Sequence, residues 1–171
     1  MATLRRTQSL VLSPRDESTA ADARGAPPKL LRCLVVSPCA ERRRLIRAAA
    51  ESQAWDAILC RDAGEFLRAA FKRLVPLMVV DLPPQDSKHY WELREATDRA
   101  RQVANSLLVI AGADGESTDE IWARKLGVWG YLSEANSQRG FELIFSEARR
   151  AVERSDAVES AAVPCVEEDG W

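Results

Sequence analysis

The stretch "PLMVVDLPP", residues 76–84, is an apolar run that ends on an acid and two prolines. Its four consecutive apolar residues, 77–80, show no alternation between apolar and polar side chains, which predicts a strand buried on both faces of a sheet. Asp81 follows this strand directly, at the end where open α/β sheets place their ligand sites. Pro83 and Pro84 then prevent further ladder pairing. The stretch therefore predicts a central parallel strand with a candidate functional acid at its carboxyl end.

Short apolar strands and amphipathic helices alternate along most of the chain. This alternation is typical of an α/β fold, in which helices cover both faces of a parallel sheet. One helix start, "DAGE" at residues 62–65, resembles a capping box in which Asp62 takes the place of Ser or Thr. The predicted strands cover residues 31–36, 56–60, 77–81, 106–111 and 129–132, and the predicted helices cover residues 41–52, 62–74, 87–104, 117–127 and 137–155.

A single domain accounts for most of the 171 residues. Residues 1–28 mix Ser, Thr, Arg, Ala and Pro without periodicity, so we expect a disordered N-terminal arm there. The domain itself is predicted to cover residues 29–155. Residues 156–171, which include Trp171, are predicted to form a short, acidic, disordered tail.

Composition excludes several classes of protein. Apolar residues make up 46% of the chain and charged residues 29%, which suits a folded core with a charged surface. No apolar run approaches the roughly 18 to 20 residues of a membrane span, and the first residues lack the apolar run of a secretory signal. The cysteines, Cys33, Cys39, Cys60 and Cys165, show no paired CxxC spacing. We therefore expect free thiols, a reducing cytoplasm and no membrane contact.

The N-terminal part of the chain is basic. Residues 1–50 contain ten Lys or Arg against four acids, which raises the hypothesis of a nucleic-acid binder that uses the Arg-rich first helix, "ERRRLIR". A solvated helix face explains these arginines more simply, because no DNA-binding motif accompanies them. We therefore do not expect nucleic acid as a partner. No nucleophile and base can be paired around the single histidine, His89, so we do not expect an enzyme.

Two motifs within this alternating pattern carry a resemblance to a known family. "VVDLPP" (79–84) and "GVWGYL" (127–132) resemble the phosphoacceptor strand and the approach to strand five of response-regulator receiver domains. The resemblance extends over residues 31 to about 154 of this chain. It implies a flavodoxin-like, doubly wound parallel sheet of five strands in the order 2-1-3-4-5 with five helices, in a bacterial signalling protein.

The resemblance also implies where phosphorylation chemistry would lie. Receiver domains hold Mg²⁺ with two acids and the phosphoacceptor Asp, and they cradle the phosphoryl group with a hydroxyl and a lysine. Asp81 matches the phosphoacceptor. The two acids fall on Ser37 and Pro38, the hydroxyl on Ala111 and the lysine on Glu134. Four of these five chemical positions are lost, which predicts a degenerate pseudo-receiver without metal, cofactor or phosphoryl transfer.

Alternatives for Asp81 remain open. Its carboxylate is predicted to cap backbone N–H groups in the adjoining loop. It could instead share a cation or a proton with Glu134, or accept a phosphoryl group through an atypical pocket.

The remaining function is predicted to be protein–protein interaction in a signalling or regulatory setting. Tyr131 matches the switch aromatic of the family, and the resemblance implies a docking face made by helix four, strand five and helix five. Trp122, Trp129 and Tyr131 are predicted to lie on this face, because aromatic residues at a partly exposed sheet edge anchor interfaces. A partner protein or a second copy of the chain is the expected occupant.

Overall fold

The computed structural model describes residues 30–103, 106–113, 117–133 and 137–161. Strands and helices alternate throughout, as the apolar runs predicted. The strands are β1 (Leu31–Val36), β2 (Trp55–Cys60), β3 (Leu77–Asp81), β4 (Leu107–Ala111) and β5 (Gly130–Leu132), and the helices are α1 (Ala40–Ser52), α2 (Ala63–Lys72), α3 (Tyr90–Val103), α4 (Ser117–Leu126) and α5 (Gln138–Ala161).

The strands form one parallel sheet in the order β2-β1-β3-β4-β5. This confirms the predicted flavodoxin-like fold. β3 occupies the centre, between β1 and β4, which explains why its residues are apolar on both faces. Asp81 lies opposite Ala111 of β4, and Val80 lies opposite Val36 of β1.

Two apolar cores lie on the two faces of the sheet. Alternate residues of each central strand face opposite cores, so Leu77 and Val79 pack on one side and Met78 and Val80 on the other. One core is completed by α1 and α5, and the other by α2, α3 and α4. The helical residues that complete them are Ile46, Phe141 and Phe145 on the first side, and Phe66, Leu93 and Ala123 on the second.

Two helix boundaries differ from the sequence prediction by three residues or more. α3 begins at Tyr90 instead of Ser87, because the residues after Pro84 first form hydrogen-bonded turns from Ser87 N–H to Pro84 O at 2.9 Å and from Tyr90 N–H to Ser87 O at 3.0 Å. α5 ends at Ala161, so the predicted boundary at residue 155 was wrong. The helix continues because the sequence contains no Gly or Pro between Gly140 and Pro164.

The predicted N-terminal arm and the rest of the predicted tail, residues 162–171, lie outside the described residues. Within the described ranges, no helix is long and apolar enough to cross a membrane.

The start of α2 shows the predicted cap. Asp62 Oδ1 accepts a hydrogen bond from the backbone N–H of Glu65 at 2.8 Å. The Glu65 carboxylate accepts the backbone N–H of Arg61 at 2.8 Å as well as hydrogen bonds from the Arg61 guanidinium. These hydrogen bonds lower the pKa of Glu65 to about 2. The cap therefore satisfies backbone donors that helix geometry leaves unpaired.

We predict that Asp62→Ala lowers the free energy of unfolding by about 1 kcal/mol, because the N–H of Glu65 loses its acceptor. Urea denaturation at neutral pH measures the loss. Asp62→Asn is the matched control and should retain most of the stability, since its side-chain oxygen can accept the same hydrogen bond. Equal losses in the two variants would contradict a capping role.

Candidate functional site

The centre of the sheet brings three of the predicted site residues together. Asp81 is the last residue of β3, Ala111 lies opposite it on β4, and Ser37 follows directly after β1. Asp81 is 6% exposed and Ser37 is fully buried. The fold thus places a nearly buried carboxylate at the carboxyl end of the sheet, where α/β folds bind ligands.

The Asp81 carboxylate is held by two side chains. Arg42, in the first turn of α1, donates from Nε to Oδ1 at 3.0 Å and to Oδ2 at 3.1 Å, and from Nη2 to Oδ1 at 2.5 Å. The Ser37 hydroxyl donates to Oδ2 at 2.6 Å. Both carboxylate oxygens therefore accept hydrogen bonds from within the chain.

The contact between Arg42 and Asp81 is a largely buried ion pair. The side chains are 21% and 9% exposed, and the guanidinium also lies 5.4 Å from the centre of the Phe141 ring. A buried carboxylate is costly unless a cation and hydrogen bonds compensate it, and the planar guanidinium supplies both. Arg42 thus provides the positive charge that a metal ion would otherwise bring to this acid.

The loop after β1 is held by the same cluster. Ser37 Oγ accepts the N–H of Cys39 at 3.2 Å, and Arg43 Nη1 donates to the carbonyl oxygen of Ser37 at 2.6 Å. Pro38 follows Ser37 and contributes no side-chain oxygen. Among the described residues, no group of three His, Cys, Asp or Glu side chains is arranged to hold a metal ion.

The structure changes the interpretation of Asp81. We predicted that its carboxylate caps backbone N–H groups, but its hydrogen-bond donors in the described part of the chain are the side chains of Ser37 and Arg42. Ala111 offers only a methyl group at the predicted hydroxyl position. Glu134 lies outside the described residues, so a cation or proton shared between Asp81 and Glu134 stays a prediction.

Sequence reasoning missed Arg42 because "ERRRLIR" has the composition of a solvated helix face. A usable signal was present. A cation in the first turn of a helix is repelled by the helix dipole, so it is favoured there only by a specific anionic partner. Side chains also tilt toward the helix N-terminus, which directs a first-turn arginine toward the strand ends and Asp81.

A cleft of about 330 Å³ opens beside this ion pair. Its walls are mainly apolar, with Arg42 and Asp81 as its charged groups. Besides this pair, the described lining residues are Pro38, Cys39, Leu82, Pro83, Pro84 and Ala113. The prolines on both sides make the opening of the cleft rigid and apolar. A phosphoryl site would instead require hydrogen-bond donors at this position.

Tyr131 lies beside the same end of the sheet. It is half-buried on β5, and its ring covers Gly112, the residue after β4. A Cβ atom at Gly112 would lie 2.8 Å from the ring Cζ and still closer to the hydroxyl oxygen. Glycine at this position therefore allows Tyr131 to occupy its inward position.

The two tryptophans of the predicted interface have different surroundings. Trp122 is half-buried and contacts α3, where its Nε1 donates to Asp98 at 3.2 Å and its ring lies 4.5 Å from the Arg94 guanidinium carbon. Trp129 is 38% exposed and lies at the opposite end of the sheet, beside Arg101. The structure thus shows Trp122 as a packing residue between two helices and leaves Trp129 with an open face.

A buried polar network between α3 and α4 was not anticipated from the sequence. Asp119 is fully buried and accepts a short hydrogen bond from the Tyr90 hydroxyl. Arg94 donates to the Tyr90 oxygen at 2.6 Å and lies 3.5 Å from Asp119. Burial and the hydrogen bond with Asp119 raise the pKa of Tyr90. The network fixes the first turn of α4 against α3.

Comparisons with solved structures agree with this architecture. A response regulator receiver domain protein from Clostridium thermocellum is 15% identical, with a TM-score of 0.61 over 74% of this chain and 99% of the other. A CheY-like receiver domain protein from Methanospirillum hungatei is 16% identical, with a TM-score of 0.60 over 73% and 98%. The receiver domain of AraT, a response regulator from Geobacillus stearothermophilus, is 18% identical, with a TM-score of 0.61 over 74% and 98%.

The chain has the receiver fold. No protein-family model matches the sequence, and no curated protein matches it. The receiver fold therefore rests on the sheet order and these structural likenesses. It places Asp81 at the carboxyl end of the central strand, as the sequence resemblance implied.

We predict that Arg42→Met lowers the free energy of unfolding by about 2 kcal/mol, because it leaves the buried Asp81 carboxylate without its cation. The value lies below that of a fully buried pair because about a fifth of the arginine side chain is exposed. Arg42→Met combined with Asp81→Asn should recover most of the loss, since the unpaired charge is removed. Guanidinium denaturation of the four variants of this cycle measures both effects.

Arg44→Met is the matched control, because Arg44 is an exposed arginine of the same helix. It should change stability by less than about 0.5 kcal/mol. Additive losses in the Arg42 and Asp81 variants would contradict a direct interaction between these side chains.

Proposed function

We propose that this protein is a regulatory interaction module with the receiver fold that acts without phosphoryl transfer. The receiver fold supports a role as a signalling regulator. The observation that carries the more specific proposal is the ion pair between Arg42 and Asp81. In this pair the chain's own Arg42 supplies the charge and hydrogen bonds to the Asp81 carboxylate, which is the group that would have to bind Mg²⁺ and attack phosphorus in a phosphorylated receiver.

The chemistry of phosphoryl transfer explains why this ion pair matters. The attacking carboxylate oxygen must present a free lone pair to phosphorus, and cations must neutralise the charge of the transferring group. Arg42 and Ser37 direct their donors at the nucleophile itself, which lowers its electron density and occupies its lone pairs. Ser37 and Pro38 supply no carboxylate for Mg²⁺, and Ala111 has no hydroxyl for a phosphoryl oxygen.

The competing hypothesis is phosphorylation of Asp81 through an atypical pocket. Its support is that Arg42 brings a cation to the acid. Incubation with acetyl phosphate, with and without Mg²⁺, followed by intact-mass measurement separates the two hypotheses. We expect no phosphoryl adduct, while a receiver domain with the full acidic set, treated in parallel, should gain one. A mass gain that Asp81→Asn abolishes would establish the competing hypothesis.

Contacts within α1 weaken the nucleic-acid hypothesis. Arg42 is paired with Asp81, Arg43 donates to the Ser37 carbonyl, and Arg47 donates to Glu51 at 2.6 Å. Arg42 and Arg43 are therefore directed toward the strand ends, and the exposed Arg47 has its charge compensated by Glu51, whereas phosphate binding requires uncompensated cations that project into solvent.

We propose that a protein partner or a second copy binds the surface formed by α4, β5 and α5. Ile121 of α4 is 54% exposed and Trp129, just before β5, is 38% exposed. On α5, Leu143 and Val158 are also exposed. Trp122 supports the surface from inside through its contacts with α3, and Tyr131 is held inward over Gly112.

We predict that Trp129→Ala and Ile121→Ser together weaken self-association or partner binding at least tenfold, because exposed aromatic and apolar anchors dominate interface energies. Analytical ultracentrifugation over a concentration series measures self-association, and titration with a captured partner protein measures the affinity for that partner. Phe71→Ala is the matched control, since Phe71 is 57% exposed on α2. A loss of binding in the control, with none in the double variant, would place the interface on the α2 side.

A further inference from the structure

A second cleft lies at the opposite end of the sheet from Asp81, where the strands begin. Its volume is about 490 Å³, and it lies between the end of α3, the start of β5 and α5. We call it the amino-end cleft. It is larger than the cleft beside Asp81, and the lining residues that matter here are Arg101, Leu107, Trp129, Val152, Ser155 and Asp156.

The amino-end cleft combines an aromatic wall with a cation. Trp129 exposes 38% of its surface, and within the described residues Arg101 makes one long hydrogen bond, 3.4 Å, to the Ser106 carbonyl. An exposed aromatic ring beside a cation fits a ligand that carries both an apolar group and acidic groups.

The chain itself contains such a segment directly after α5 in the sequence. Residues 162–171, "AVPCVEEDGW", contain three consecutive acids, no Lys or Arg, and the apolar residues Val163, Val166 and Trp171. The segment follows α5 directly, and α5 lines the cleft at Asp156, five residues before Ala161. At 1.5 Å per residue this is about 8 Å along the helix, whereas ten extended residues reach about 33 Å.

We propose that residues 162–171 bind in the amino-end cleft of the same chain. In this arrangement the acids Glu167, Glu168 and Asp169 face Arg101, and the apolar residues of the segment cover Trp129. Asp156 belongs to the α5 wall, so the acids are directed to the α3 side of the cleft, where Arg101 lies. The short connection gives a millimolar effective concentration, so even a weak contact keeps the cleft occupied.

The inference does not depend on the absence of phosphoryl transfer, and it can be tested without knowing the partner.

The test uses the full chain labelled with ¹⁵N and follows the indole N–H signals of Trp129 and Trp171, assigned with Trp129→Phe and Trp171→Phe. Each substitution is made on one side of the proposed contact, and its effect is measured at the tryptophan on the other side. Reversing the three acids (Glu167→Lys, Glu168→Lys and Asp169→Lys) should move the Trp129 signal. Arg101→Glu should move the Trp171 signal, and the combined charge swap should move it back toward its original position.

A matched control reverses three exposed acids at the other end of the molecule, Glu41, Asp86 and Glu92, and should move neither signal. Unchanged Trp129 and Trp171 signals in the two charge variants would overturn the proposal. Signals that shift with protein concentration would also overturn it, because they would assign the cleft to the segment of a second copy.

Discussion

The ion pair between Arg42 and Asp81 determines what the carboxyl end of this sheet can do. β3 must be apolar on both faces to lie at the centre of the sheet, so any acid at its end is nearly buried. Such an acid requires a cation within hydrogen-bonding distance. In this chain the cation is a side chain of α1, and the Ser37 hydroxyl donates a further hydrogen bond to Oδ2 of Asp81. The geometry of the loop after β1 and the position of α1 both depend on this contact.

The same solution recurs on the other face of the sheet. Asp119 is fully buried at the start of α4, and Arg94 of α3 lies 3.5 Å from it, with the Tyr90 hydroxyl between them. Arg94 also lies 4.5 Å from the centre of the Trp122 ring. Two buried acids, each compensated by an arginine from a neighbouring helix, anchor α1 and α4. Breaking either contact leaves an uncompensated buried charge, so the arrangement favours one conformation of this end of the fold.

The sequence predicted the architecture well because the signals are local. Apolar runs such as 77–80 and 107–111 identify buried strands, and their alternation with helices implies a parallel sheet. Asp81 was identifiable for the same reason. The strand order that the structure shows was implied by the family resemblance. Arg42 could have been identified from its unfavourable position in a first helical turn. The contact between Tyr90 and Asp119 could not, because it joins residues 29 positions apart through the packing of two helices.

A built-in cation has a thermodynamic consequence that a bound metal does not have. Metal ions and phosphoryl groups stabilise one state by mass action, so their effect varies with concentration and can be reversed. Arg42 is present at a fixed ratio to Asp81, and guanidinium stays protonated across the physiological pH range. The contact therefore biases the conformational equilibrium by a constant amount. Under the function proposed above, a regulatory input would enter elsewhere, through a partner or a segment with different affinities for two states of the surface it covers.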